Sequence, residues 1–545
     1  MSPGSGYHSW LRKPALTGRK DGKDMRTSVY ATRRRVLAGA AATLLLPAAV
    51  RAQTTQEPPS KETVAAALPK LRQLAREVVD KKLVPGLSIA VVQGDEVVFL
   101  EAFGVRQIGG EPVDLDTVFQ LASMSKPLAA TTVAALVGDG KVAWDSKIRD
   151  IDPGFALHDA LASAEVTIRD LFAHRSGLQG LVGDDIEELG FSQGEILQKL
   201  RLARPAYSFR SGYSYSNFGL TEAAVAAARA AGKDWAEIAE QRLYKPLGMA
   251  LTSSRYRDFV SRDNRAALHV RRDGQWASFT RRDPDAQSPA GGASSTARDM
   301  AQWLRLLLND GEYDGKPVVD KAALDQTYIP ASVRGVDPET GTPGFYGLGW
   351  NVDYREHGVE WSHAGAFTAG ARTTVRLVPG ARLGIVVLSN CYPSGVPEGI
   401  AWTFFDDVFL GRPARDWVAF ANASFDAGYK TMLKPSEAYA TPPASPAAPL
   451  PNAAYAGDYR NDYLGDAKVE DTGGGLFLVL GPSGNRRFPL TPFNRDLFIY
   501  SPTLEQPQAR MGVTFLIGAD GKASAVTIEN LNDYGLGTLA RVGGT

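Results

Sequence analysis

The stretch Val118-Phe119-Gln120-Leu121, continuing as Ala122-Ser123-Met124-Ser125-Lys126-Pro127 into the Ala/Leu-rich run Leu128 to Val137, decides how the chain is read. It holds the one S-x-x-K of the 545 residues. An apolar lead-in followed by an Ala/Leu-rich run predicts a helix opening near residue 123. Spacing i, i+3 then puts Ser123 and Lys126 on one face. A lysine held there away from bulk water has its ammonium form disfavoured. It can take the hydroxyl proton, which makes serine a nucleophile at neutral pH. The helix N-terminus adds positive potential and makes the Ser123 N–H a candidate oxyanion donor. Pro127 is compatible with a first turn, where N–H groups lack intrahelical partners. The plain alternative is a helix cap beside a surface lysine.

Two further elements lie later in the chain. Tyr215-Ser216-Asn217 offers a phenol that can relay a proton to a leaving group. Its amide can bond a substrate carbonyl or tether Lys126. A second Y-x-N, Tyr459-Arg460-Asn461, falls in the C-terminal β region and reads as a decoy. His363-Ala364-Gly365 precedes strand-like runs, and small residues on a strand edge let a substrate backbone approach closely. The N–H just after Gly365 is placed to complete an oxyanion hole. The alternatives are a packed tyrosine, a turn asparagine and a buried structural histidine. His174 reads as structural. Trp361 and Tyr346 read as core aromatics or pocket lining. The acidic run Asp184-Asp185-Ile186-Glu187-Glu188 reads as a solvated helix face that could border a groove.

Composition narrows the classes. Hydrophobic residues are 44% and charged residues 22%, ordinary globular usage, and the 55 Gly and 33 Pro follow no period. One cysteine, Cys391, can form no internal disulfide, and six His without a Cys/His framework make a metal site improbable. No metal or organic cofactor is expected. The first 52 residues carry ten Lys/Arg against two Asp/Glu, which leaves 50 basic and 58 acidic residues in the remainder, a net of −8. A mildly acidic body argues against nucleic acid as the main partner.

That basic start reads as an address. Arg33-Arg34-Arg35 leads into a short apolar run ending near Val50, and Val50-Arg51-Ala52 offers a small-residue cleavage site. The twin arginines resemble those of a Tat signal. The run is shorter than the roughly 20 residues of a membrane span. Residues 1–52 are therefore expected to be a signal peptide, with the residues before Met25 an over-extended start or a long n-region. The mature protein is expected to be periplasmic or secreted, without stable membrane insertion.

In the body, Glu62 to Lys82 has apolar residues at helical spacing, and Leu87–Val92 and Glu96–Phe103 form a hairpin at Gly94-Asp95. Strand signals return at Thr373–Leu377 and Leu383–Leu388 around a helical middle. The fold class is α+β, an antiparallel sheet with a helical lobe. Residues 53–432 form that domain and 433–452 a Pro/Ala-rich linker, with its spacer from Pro435 to Pro451. Residues 453–545 form a small all-β sandwich or barrel, with strands at Leu476–Leu480, Leu497–Tyr500, Val513–Ile517 and Val526–Ile528.

The order S-x-x-K, Y-x-N, H-x-G resembles the serine β-lactamase and penicillin-binding protein superfamily, within it the class C β-lactamase-like branch. Also similar are Thr167 to Leu178 (TIRDLFAHRSGL), Tyr244 to Met249 (YKPLGM), Pro289 to Ser295 (PAGGASS) and Tyr346 to Trp350 (YGLGW). The resemblance runs from Glu62 to Phe409 and implies a β-lactamase/transpeptidase-like fold. Tyr455 to Gly465 resembles the lipocalin-like domain attached to such hydrolases. The resemblance implies Ser123 as acylated nucleophile, Lys126 as its base and Tyr215 as proton shuttle with Asn217 beside it. Ser123 and Ala366 N–H groups would form the oxyanion hole, with Gly365 between Ala366 and His363. The β-lactamases carry a lysine where this chain has His363, and that lysine serves a substrate carboxylate. Esterases, D-aminopeptidases and some DD-peptidases of the superfamily have histidine there. The expected activity is hydrolysis of esters or small amides through an acyl-enzyme. The alternatives are a D-aminopeptidase, DD-peptidase or weak β-lactamase on peptidoglycan-like substrates, and a non-catalytic wall- or ligand-binding protein. The sequence leaves the oligomeric state open.

Overall fold

The structure is a computed structural model that describes residues 58–543 apart from 273, 279, 338–340 and 503–508. The expected signal peptide lies outside the described residues. An eight-stranded, wholly antiparallel sheet organises the larger part of the chain. Its strands are β1 (Gly86–Gln93), β2 (Glu96–Gly104), β3 (Ser332–Val336), β4 (Pro343–Tyr346), β5 (Asn351–Arg355), β6 (Gly358–Phe367), β7 (Ala371–Val378) and β8 (Leu383–Ser389). They lie side by side in the order β2-β1-β8-β7-β6-β5-β4-β3. N- and C-terminal segments of the domain thus pair at β1–β8, with Leu87 opposite Ser389.

The central strands are covered on both faces. That is why β1 and β8 read as near-continuous apolar runs rather than alternating ones, while β7 is buried throughout yet carries Arg372 and Arg376, paired with Glu398 and Glu360. Ile89, Val91, Ile385 and Val387 pack with Val64, Leu71, Val78, Ile400 and Phe404 of the helices Lys61–Asp80 and Val396–Phe409. Ala90, Val92, Val386 and Leu388 face the opposite way, toward Trp303 and Leu304 of the helix Ala297–Leu308 and the helical lobe. The helix Lys61–Asp80 starts at Ser60, whose side chain accepts from the Thr63 N–H, so its apolar stripe begins under a fixed cap. Within the lobe, the helix Ser125–Gly138 is buried on all sides, Lys126 included.

The third region is a closed barrel of eight strands between Gly457 and Arg541, ordered as they occur in the chain. Closure leaves no edge strand. The barrel is filled by side chains, with the rings of Tyr455, Phe498 and Phe515 within 5.5 Å of one another and all three buried. Asp520-Gly521 forms the expected turn between Met511–Ile517 and Ala523–Ile528. The linker differs from expectation at its start. The helix Trp417–Glu437 carries Pro435 in its last turn, so the irregular segment begins only after it. That segment rests on the barrel, with the Ala447 N–H donating to Asn494 Oδ1.

Candidate active site

Ser123 and Lys126 sit at the junction of sheet and lobe. Ser123 lies in the 3-10 turn Ala122–Met124, and the α-helix proper begins at Ser125. Lys126 Nζ is 3.2 Å from Ser123 Oγ, so the i, i+3 expectation holds through a turn that is 3-10 at its start. Two other groups meet the same nitrogen. It donates to Asn217 Oδ1 at 2.6 Å and to the Ala290 carbonyl at 2.9 Å. Burial pushes the lysine down to about 7, and the charge of Asp184 works weakly the other way.

The surrounding loops explain the local motifs. Ala290 belongs to the segment Ser288–Ser295, whose Ala293 N–H donates to Ser125 Oγ and whose Ala293 carbonyl accepts the Leu121 N–H. Gly349 has φ of +80°, and a Cβ there would stand 2.9 Å from the Lys126 carbonyl, so only glycine lets that turn lie against the helix start. Tyr215 precedes the helix Asn217–Ala230, which Ser216 caps by accepting the Gly219 N–H. Burial raises the Tyr215 phenol well above the ordinary range, and Ser123 beside it works the other way. Lys126 Nζ lies 4.6 Å from the centre of the same ring. His174, buried at φ +53°, holds this segment: its Nδ1 accepts the Ser216 N–H at 3.2 Å, and its ring lies 4.6 Å from that of Tyr215.

The third motif corrects one expectation. β6 is an interior strand, paired with β5 and β7, not an edge. Gly365, opposite Thr373, has its open side against the Leu121 carbonyl, where a Cβ would collide. Thr373 Oγ1 donates to that carbonyl at 2.7 Å. The glycine therefore admits the chain leading to Ser123 rather than a substrate backbone. Ala366, opposite Arg372, is the next residue on this strand.

His363 is a neutral, fully engaged ring. A carbonyl can only accept, so the 2.9 Å contact with Ala364 O puts the proton on Nδ1. Nε2 then accepts the Tyr346 hydroxyl at 3.0 Å. Burial, then the Lys126 charge, pushes the ring down to about 3. Tyr346 is thereby buried against the site, whereas Trp361 stacks on Tyr328.

The acidic run is also corrected. Asp184–Glu188 is a short helix turned inward. Asp184 Oδ2 accepts the Asn217 amide at 2.7 Å, and Asp184 Oδ1 is buried without a hydrogen bond among the described residues. Burial, then the Glu187 charge, raises Asp184 to about 8. Glu187 accepts from Arg282 and Gln287. Sequence reading missed Asp184 because acidic runs are usually solvated; its place between the first two motifs was the available signal. Of the remaining groups, Tyr459 is enclosed in the barrel, its hydroxyl donating to the Tyr455 carbonyl. The buried Cys391 thiol is pushed up to about 12 and is a poor nucleophile.

An antiparallel sheet, a helical lobe and a serine beside a buried lysine together match the ground plan of the β-lactamase and transpeptidase fold. Residues 71–407 match the family model described as Beta-lactamase, and residues 441–536 match a domain of unknown function, DUF3471. The chain belongs to the beta-lactamase family. It is 25% identical over 480 residues to the unguisins hydrolase ungD' of Aspergillus campestris, covering 84% of this chain and 88% of that one. It is 28% identical over 336 residues to the esterase EstB of Burkholderia gladioli, covering 50% and 84%. The octameric penicillin-binding protein homologue from Pyrococcus abyssi shares the fold at a TM-score of 0.54 and 19% identity, covering 87% of this chain and 100% of that one.

Proposed function

We propose that this protein is an exported serine hydrolase that cleaves neutral esters and small amides through an acyl-enzyme on Ser123. The observation that carries the reading is the set of contacts around Lys126. Two of its three neighbours, Asn217 Oδ1 and Ala290 O, can only accept. A neutral amine has two N–H groups and one lone pair. With the N–H groups taken, the lone pair faces Ser123 Oγ and receives the serine proton as the oxygen attacks a carbonyl carbon. The oxyanion forms against the N–H groups of Ser123 and Ala366. Collapse breaks the bond to the alcohol or amine, which leaves with the proton passed from Lys126 through Tyr215. Water, deprotonated by the same pair, attacks the acyl carbon and releases the acid.

Neutral substrates are favoured by the charge of the lining. His363 carries no charge, and Arg372, Arg282 and Arg334 are each paired with a carboxylate, of Glu398, Glu187 and Asp353. No charged group in this set is spare to receive a substrate carboxylate, which a peptidoglycan stem or a β-lactam would need. The esterase among the relatives is consistent with this preference. The twin-arginine leader supports export of the folded enzyme, and N-terminal sequencing of exported material checks it.

Para-nitrophenyl acyl esters and D-Ala-p-nitroanilide, assayed side by side, test the substrate class. Turnover of the esters that is lost in Ser123→Ala supports the proposal. Preferential turnover of the anilide would favour the D-peptidase reading. Inert behaviour with both, and no labelling by a fluorescent phosphonate, would favour a binding protein.

A further inference from the structure

The loop from Gly180 to Asp185 is strung between the candidate site and the C-terminal barrel. On the site side, the Leu181 N–H donates to the Tyr215 carbonyl at 2.9 Å. Asp184 takes the Asn217 amide whose oxygen holds Lys126. On the barrel side, the Tyr463 hydroxyl accepts the Gly183 N–H at 3.2 Å and donates to Asp185 Oδ1 at 2.7 Å. The Tyr534 hydroxyl donates to the Gly180 carbonyl at 3.0 Å. Lys199, farther along the lobe, donates to the Asp462 carbonyl at 2.6 Å. Tyr463 is buried, and Leu181 holds a left-handed φ of +62°. A non-glycine residue keeps such a conformation only when its surroundings over-determine it. Here hydrogen bonds from two domains do so.

We propose that the barrel is a working part of the hydrolytic site, with Tyr463 and Tyr534 acting as positioning residues that hold Gly180–Asp185 and, through it, Tyr215, Asn217 and Lys126. The inference rests on the reading of Lys126 as the base of Ser123. Misplacement of reacting groups by about 1 Å costs on the order of 10²-fold in rate, so a loosened loop acts on turnover more than on substrate affinity. It also acts on the charge around the lysine. Asp184, Tyr215 and His363 face Lys126. Glu187 and Arg282 face Asp184 in turn, and Tyr463 and Tyr534 face Asp185. Freed from the barrel, Asp184 gains solvent, ionises more readily and favours the ammonium form of Lys126.

The test is kinetic, on the full chain, with a para-nitrophenyl ester. Tyr463→Phe combined with Tyr534→Phe is expected to lower kcat at least 10-fold and to change KM less than 3-fold. It should also move the acid limb of the pH profile to higher pH. Tyr500→Phe removes a barrel hydroxyl that, among the described residues, donates to Asn530 of the barrel, and serves as control, with an expected loss under 2-fold. An unchanged kcat and pH profile in the double variant would overturn the proposal, as would an equal loss in Tyr500→Phe. A double variant that unfolds is replaced by each single variant, judged by the same two readouts. Wild-type turnover that survives Ser123→Ala would bring down the underlying assignment of the nucleophile, an outcome distinct from unresponsive tyrosine variants.

Discussion

Lys126 Nζ stands 3.2 Å from Ser123 Oγ, and its two shorter contacts, to Asn217 and Ala290, are to oxygens that can only accept. This arrangement orients the one basic electron pair of the site at the hydroxyl that has to lose its proton. Nucleophile activation, and with it the response of the enzyme to pH, depends on that orientation.

Burial pushes Lys126 down to about 7, and the working form is the neutral amine. Activity is therefore absent at low pH, where the ammonium holds, and rises with pH through about 7. The log of kcat/KM for a neutral ester should climb with a slope of one and then level off. His363, pushed down to about 3, contributes no limb in the neutral range.

Asp184, raised to about 8, is protonated where that limb falls. When ionised, its carboxylate favours the ammonium form of Lys126, the direction its charge has on the lysine. Asp184→Asn keeps a partner of similar shape for the Asn217 amide but removes the charge. Because Asp184 is uncharged through the limb, the limb is expected to shift little from about 7, with kcat on the plateau reduced less than 10-fold. Pre-steady-state acylation across pH 5–9 measures the shift.

Gly365→Ala places a methyl group against the Leu121 carbonyl, two residues before Ser123. The backbone must shift, and with it the nucleophile. A loss of about 10²-fold in kcat is expected from such a displacement, with the far-UV CD spectrum retained. Ester turnover compared with Ser123→Ala as the zero point checks it.

Glu222 carries a stability prediction. It is buried in the helix Asn217–Ala230 with neither carboxylate oxygen hydrogen-bonded among the described residues, and burial raises it from 4.5 to about 8. The folded state holds this proton more tightly than the unfolded state. Its contribution is thus full below the ordinary carboxylate range and is lost as pH rises through about 8. Glu222→Gln should flatten that fall, raising Tm at pH 9 by roughly 1 °C for each kcal/mol regained, as expected for a domain of this size. Thermal scans of the two proteins at pH 5, 7 and 9 give the comparison.

The parts legible in the sequence are those whose physics is local. Helical spacing in Val64, Leu71 and Val78 and the Gly94-Asp95 turn gave elements that the structure shows at almost the same limits. The S-x-x-K spacing, read with the apolar lead-in before it and the Ala/Leu-rich run after it, put Ser123 and Lys126 on one face, and the structure has them 3.2 Å apart. The strands Ser332–Val336, Pro343–Tyr346 and Asn351–Arg355 were not legible. They are short, and much of their length is exposed and polar, so no apolar period marks them. Nor was the inward turn of Asp184. Its cause is a contact with Asn217, 33 residues away, and a neighbour packed against Tyr463, 278 residues away from Asp185. Interactions set by tertiary contact leave no period to read. The edge-strand role expected for Gly365 failed for the same reason, since strand order is not written in the spacing of one strand.

The most direct measurement is the intact mass of the protein, quenched in acid seconds after mixing with a slowly deacylating aryl ester at pH 8. The account predicts an added mass equal to the acyl group, mapped by peptide sequencing to Ser123, absent from Ser123→Ala and slow to form in Lys126→Ala. An acyl group found on another residue, or one that still appears in Ser123→Ala, would contradict it.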